Sequence, residues 1–150
     1  MKVMTMTKIY FAAAMRGDRS NLGDDKKIIE GLKQLGYRIL TEWVVDDVLD
    51  IERGATPEEI FERDVEMLDE CDVLVADISY PSLGVGFEIA YTLLNGKPVI
   101  AFCREDRVEK TSALIRGVKW SNFRLVIYSN VDELLKILDK KLREFKKACF

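Results

Sequence analysis

Apolar runs closed by glycine alternate along this chain with segments whose apolar positions fall three and four apart. IYFAAAM (residues 9–15) is continuously apolar and ends at Arg16-Gly17, which predicts a buried strand. DDKKIIEGLKQLG follows with helical spacing at Ile28, Ile29, Leu32 and Leu35, and Gly36 stands where a helix turns out of its last carbonyls. YRILTEWV predicts a second strand, and the polar stretch DDVLDIERGA connects it to TPEEIFERDVEMLDECD. There Thr56 is placed to cap, Pro57 to occupy the first helical position and Glu59 to complete a capping box. VLVAD (residues 73–77) is apolar almost throughout, as strands covered on both faces tend to be. A helix beginning near Gly86 should end at Asn95-Gly96, followed by the strand PVIAFC, a polar loop, a short helix in TSALIRG and the strand FRLVIY. Asn130 then caps a last helix, with Glu133 three positions on and apolar residues at Leu134, Leu135, Ile137, Leu138 and Leu142.

Strands alternating with helices predict βαβ units and a parallel sheet. No internal repeat or linker interrupts them, so residues 1–150 read as one α/β domain: a flavodoxin-like (Rossmann-like) doubly wound five-stranded parallel sheet of order 2-1-3-4-5. In that order the loops after the first and third strands, AAMRGDRS and ISYPSLGVG, flank the crevice where ligands bind.

Composition narrows the chemistry. A net charge of -3 argues against nucleic-acid or anionic-membrane binding. No apolar run approaches the roughly 20 residues that span a bilayer, and MKVMTMTK lacks the apolar core of a secretory signal, so a cytoplasmic location is expected. Cys71, Cys103 and Cys149 are an odd set without CxxC spacing, which suggests neither disulfides nor zinc, and Cys71 and Cys103 read as core residues. The chain has no histidine, which removes Ser/His and Cys/His nucleophile pairs and leaves carboxylates as acid, base or nucleophile.

Two carboxylates stand out. Glu88 is expected in the first turn of the third helix, beside Gly84 and Gly86; it is either a carboxylate favoured by the helix dipole or a functional group that a ligand reaches over the glycines. Asp64 falls on a helical wheel among Ile60, Phe61, Met67, Leu68 and Cys71, in the stripe that should pack on the sheet. An aspartate there must be paired or functional, because a buried unpaired charge costs several kcal/mol. Asp77 reads as a loop cap. Arg16, Gly17, Ser82 and Ser112 could supply donors to a phosphate, and no GxxxxGK[ST] loop points to a triphosphatase. The hydroxyl of Tyr10 needs a partner if it is buried.

In order along the chain, IYFAAAMRG, the aspartate of ERDVEML, DVLVADISYPSLGVGFEIA and SALIRG resemble the 2′-deoxynucleoside 5′-phosphate N-hydrolase branch of the nucleoside 2-deoxyribosyltransferase family, over about residues 8–145. The resemblance implies a homodimer that splits the N-glycosidic bond of deoxynucleoside monophosphates without a cofactor or metal. It implies Glu88 as nucleophile, Asp64 as the carboxylate that holds the sugar or assists the departing base, and Tyr10 as the group that orients Glu88. It further assigns substrate binding to Ala12, Ala13, Ala14, Met15, Arg16, Gly17, Ser82 and Gly84, with Ser112, Ala113 and Leu114 contributed by the neighbouring subunit. The sequence departs from the pattern at Ala13 and Ala14, where the family has a glycine and a serine, and at Trp43, where it often has a histidine. Trp43 either stacks on a nucleobase or is a core tryptophan. The alternatives are a deoxyribosyltransferase acting on unphosphorylated nucleosides and a non-catalytic nucleotide-binding module.

Overall fold

A computed structural model of the protein describes residues 6–15, 18–46 and 54–148. Five parallel strands, β1 (Lys8–Ala12), β2 (Arg38–Ile39), β3 (Val73–Asp77), β4 (Val99–Arg104) and β5 (Phe123–Tyr128), form one sheet of order β2-β1-β3-β4-β5. The predicted architecture and strand order are those observed.

Alternation along β1 builds two cores. Ile9, Phe11 and Ala13 face α1 (Leu22–Gln34) and α5 (Val131–Ala148), meeting Ile28, Leu32, Leu134 and Leu138. Tyr10 and Ala12 face the other layer, where Leu68 of α2 (Pro57–Glu70) and Val85, Ile89 and Leu93 of α3 (Leu83–Leu94) cover the sheet. A short α4 (Ala113–Arg116) follows β4. Cys71 and Cys103 are buried free thiols in the second core, as their reading as small hydrophobes requires, whereas Cys149 lies outside the described residues.

Helix ends follow the local signals. Thr56 Oγ1 accepts the Glu59 N–H at 3.1 Å with Pro57 behind it, and Asn130 Oδ1 accepts the Glu133 N–H at 3.1 Å. Gly36 and Gly96 take φ of 97° and 77°, the left-handed conformation that lets α1 and α3 turn away. On α5, Leu134, Leu138 and Leu142 are buried while Ile137 is exposed. No helix among the described residues is long and apolar enough to cross a membrane.

Four boundaries differ from expectation. β1 stops at Ala12 instead of running to Met15, because its pairing with β3 ends at Ala12–Ala76. The second strand is only Arg38–Ile39, and the backbone then turns into a 3₁₀ helix at Glu42–Val45. Thr41 makes that turn possible: its Oγ1 accepts the Phe11 N–H at 2.9 Å and donates to the Phe11 carbonyl at 2.6 Å, replacing the ladder a continuing strand would have supplied. The polar loop after β4 is wound into a 3₁₀ helix at Glu105–Lys110. Lastly, α3 starts at Leu83 and not near Gly86, because Ser82 caps it by accepting the Val85 N–H at 3.2 Å.

Candidate active site

The earlier start of α3 moves Glu88 into the second turn of the helix. The dipole reading weakens accordingly, since that field acts within the first turn. Glu88 is instead the one charged side chain of an otherwise apolar helix, LGVGFEIAYTLL, and it is half-buried against the sheet. Its partner comes from β1. Tyr10 is 3% exposed, and its hydroxyl is hydrogen-bonded to the Glu88 carboxylate. One turn earlier, Gly84 leaves the carboxylate accessible, because a Cβ there would lie 3.8 Å from Glu88 Oε1 and 3.9 Å from Ser82 Oγ. A longer side chain would fill the approach. Gly86 has nothing within 4 Å of such a Cβ and does not crowd the group.

Asp64 approaches from α2, but not as a buried residue. Its side chain is 23% exposed, and Leu68 is the only residue of α2 that is fully buried; Phe61 is exposed. The first half of the predicted stripe therefore overhangs the site and does not pack on the sheet. Asp64 Oδ1 accepts from Nε of the adjacent Arg63 at 3.0 Å and forms an ion pair with its Nη2, also at 3.0 Å. The guanidinium carbon of Arg63 in turn sits 4.4 Å from the centre of the Trp43 ring. Trp43 reaches this position because the 3₁₀ turn replaces the expected strand.

These contacts set the charges. Burial pushes the Glu88 carboxyl up to about 7; the Tyr10 hydrogen bond draws it down, the nearby Asp64 charge raises it and Arg63 lowers it. The Tyr10 phenol is held far above its usual range, first by burial and then by the negative charges of Glu88 and Asp64, so it stays protonated and donates. A carboxyl that titrates near neutrality beside a second carboxylate is a candidate nucleophile or base. Among the described residues no group of three or more His, Cys, Asp or Glu side chains is arranged to hold a metal ion.

A second cluster secures the loops around the site. Asp77, at the end of β3, accepts the Ser79 N–H at 2.9 Å on Oδ1 and Asn21 Nδ2 at 2.7 Å on Oδ2, which makes it the loop cap expected. Asn21 Nδ2 also donates to the Tyr128 hydroxyl, which donates to Asp24. Ser79 Oγ accepts the Arg104 N–H, and its carbonyl accepts from Arg107 Nε, both at 3.0 Å. Asp25 lies beneath, hydrogen-bonded to Asp77 and pushed up to about 11, chiefly by burial and then by the Asp77 charge, so it is protonated at neutral pH. The result is a β3–α3 loop fixed from both sides.

The remaining predicted positions divide into groups. Ala13 and Ala14 line a cleft with Arg19, Asn21, Asp25 and Tyr80 at the end of β1, while Ala12 is buried beneath it and Met15 packs against the α1/α5 core. Ser82 and Gly84 stand at the start of α3, beside Glu88. Ser112, Ala113 and Leu114 are exposed on a separate turn after β4, where Ser112 Oγ caps α4 by accepting the Ile115 N–H at 3.2 Å. Arg16 and Gly17 lie outside the described residues. Sequence reasoning missed Arg63, although its place directly before Asp64 in ERD was a visible signal. It also missed Asp25, which looks like a solvated first-turn acid of α1 and carries no sequence mark of its burial.

Comparison with known proteins supplies context for this geometry. The nucleoside 2-deoxyribosyltransferase family profile matches residues 9–128. A Thermofilum pendens protein named "Putative 2'-deoxynucleoside 5'-phosphate N-hydrolase 1" is 61% identical over 135 residues, which cover 90% of this chain and 94% of that one. The 5-hydroxymethyl-dUMP N-hydrolase of Rattus norvegicus is 33% identical over 136 residues, or 88% of this chain and 82% of its own. Among solved structures, the Clostridium botulinum CMP N-glycosidase BcmB superposes with a TM-score of 0.68 at 25% identity, covering 90% of this chain and 99% of that one.

Proposed function

The chain belongs to the nucleoside 2-deoxyribosyltransferase family, and within it we propose an N-glycosidase that hydrolyses 2′-deoxynucleoside 5′-monophosphates to free base and 2-deoxyribose 5-phosphate. The observation that carries this reading is the Glu88 carboxylate, a lone charge on an apolar helix, hydrogen-bonded to Tyr10 and facing Asp64. In its ionised form Glu88 attacks C1′ on the face opposite the base. The C1′–N bond breaks, its electron pair leaves with the base, which takes up a proton, and an ester joins Glu88 to C1′. Water then attacks C1′ and gives up a proton, releasing the sugar phosphate and the free carboxylate. A missing 2′-OH eases the oxocarbenium-like state, and a pair of carboxylates stabilises it. No cofactor enters the scheme.

The 5′-phosphate is assigned to Ser82 and Gly84 at the start of α3, together with Arg16 and Gly17. Ala13 and Ala14 offer no hydroxyl there, which favours as second reading a transferase acting on unphosphorylated deoxynucleosides. The reading also includes a homodimer in which Ser112, Ala113 and Leu114 complete the partner's site. Support for it comes from exposed apolar side chains: Leu83 at the start of α3 is 97% exposed and Leu114 of α4 83%, and the rings of Phe61, Phe87 and Tyr91 follow one another at 6.4 and 6.1 Å across α2 and α3. Light scattering that finds an active monomer would sink this assembly. A cytoplasmic setting belongs to the same reading and is compatible with the free thiols of Cys71 and Cys103.

The test is chromatography of reactions with the four deoxynucleoside monophosphates, 5-hydroxymethyl-dUMP, CMP and the matching nucleosides. Base and deoxyribose 5-phosphate should form from deoxymonophosphates alone, and Glu88→Ala should remove the activity from a folded protein. Faster reaction of nucleosides, with a new nucleoside when a second base is added, would establish the transferase instead. Binding without turnover would leave a nucleotide-binding module.

A further inference from the structure

The Glu88 cluster brings two carboxylates together, and the charge of Arg63 acts against theirs at Glu88. The other titratable groups facing Glu88 are Tyr10 from β1 and Asp64 from α2. Two neighbouring carboxylates in a half-buried site do not readily ionise together; one of them takes a proton unless a cation lies between them. For the proposed chemistry that proton would be harmful, since a protonated Glu88 cannot attack C1′.

Arg63 has the shape the task requires. Its Nε and Nη2 both reach Asp64 Oδ1 at 3.0 Å, while the flat face of the guanidinium lies 4.4 Å from the Trp43 ring centre. The ring holds the group that holds the carboxylate. Lysine could supply the charge but neither the fork nor the stacking plane. The arrangement also gives Trp43 work that needs no nucleobase, at the one place near the base where the chain departs from its family's usual histidine.

We propose that Arg63 is a positioning residue that holds Asp64 in place and favours the ionised form of Glu88, with Trp43 as the shelf that fixes its guanidinium. The proposal rests on the reading of Glu88 as the nucleophile. It also gives Asp64 a role: paired with the guanidinium, it would act on the sugar as an acceptor and a negative charge.

Two measurements test this, one of them independent of activity. The substrate-free protein, labelled with carboxyl-¹³C glutamate, is titrated by NMR, with the Glu88 signal assigned by its loss in Glu88→Gln; the pH profile of kcat/KM for base release from the preferred deoxymonophosphate is recorded alongside. Arg63→Gln should raise the Glu88 midpoint and move the acid limb of the profile up by the same amount. Arg63→Lys should give a smaller shift and Trp43→Leu one smaller still in the same direction, and both can be read if Arg63→Gln does not fold. An unmoved midpoint in the folded Arg63 variants would overturn the proposal even if Glu88→Gln is inactive. A raised midpoint with Glu88→Gln still active would instead uphold the electrostatic role of Arg63 and refute the nucleophile.

Discussion

Glu88 and Asp25 are both carboxyls raised by burial, one to about 7 and the other to about 11, yet their surroundings give them opposite work. Glu88 keeps some contact with solvent, a donor in Tyr10 and a cation in Arg63, so it can exchange its proton near neutral pH. Asp25 is 4% exposed, faces the charge of Asp77 and has one oxygen, Oδ1, without a hydrogen-bond partner among the described residues. It retains its proton and, with Asp77 and Asn21, ties the start of α1 to the loop after β3. Each has a cation nearby, Arg19 for Asp25 and Arg63 for Glu88, so what separates the two is the donor that Tyr10 offers Glu88, the acid that Asp77 sets against Asp25, and Glu88's greater contact with solvent, not burial alone.

The sharpest way to break that contrast is to remove each carboxylate in turn. Glu88→Gln should lower kcat for base release by about a thousandfold or more, because a neutral amide cannot form the ester. Its thermal unfolding should be unimpaired. The sign follows from the raised carboxyl: a group at about 7 in the fold and at its ordinary 4.5 when unfolded has a stability contribution that is lost as pH rises between those values, and Gln removes that loss. A melting temperature several degrees lower at pH 8 would show that Glu88 is structural.

Asp77→Ala should do the reverse. The Ser79 N–H and the Asn21 amide lose their acceptor in a buried setting, at about 2–3 kcal/mol, read by urea unfolding. Base release should fall only as far as the loop loosens, so an Asp77→Ala enzyme as dead as Glu88→Gln, yet fully folded, would place Asp77 in the chemistry.

Asp25→Asn probes the retained proton through the pH dependence of stability, with no expected loss of activity. Asp25 titrates at its ordinary 3.8 when unfolded and at about 11 in the fold, so the stability it lends is complete below about pH 4 and declines as pH rises towards 11. An amide donates to Asp77 without that dependence. The variant should match the parent near pH 4 and gain on it as pH rises, read by urea unfolding. Parallel stability curves for the two proteins would mean that Asp25 holds no extra proton.

The architecture was legible in the sequence because each element carried its own signal: continuous apolar strands, caps at Thr56 and Asn130, glycines at Gly36 and Gly96. Glu88, Asp64 and Tyr10 were legible through their family pattern, and the structure draws the three together. The failures share a physical origin in contacts between distant segments. Thr41 ends β2 by bonding to Phe11, which no local propensity encodes, and that turn delivers Trp43 to Arg63. Asp64 looked buried because a wheel assumes a sheet along the whole helix, whereas the first half of α2 overhangs it. Asp25 reads as an ordinary N-terminal acid of α1 until Asp77, from 52 positions along the chain, closes over it.

The central claim is that Glu88 becomes covalently attached to the sugar. Acid-quenching the enzyme during turnover of its preferred deoxymonophosphate, followed by proteolysis and mass spectrometry, tests it most directly. A deoxyribose-phosphate adduct on Glu88, absent from Glu88→Gln and discharged by water in the native protein, is the expected result. An adduct on another residue, or rapid turnover with none detected and with inversion at C1′, would contradict the account.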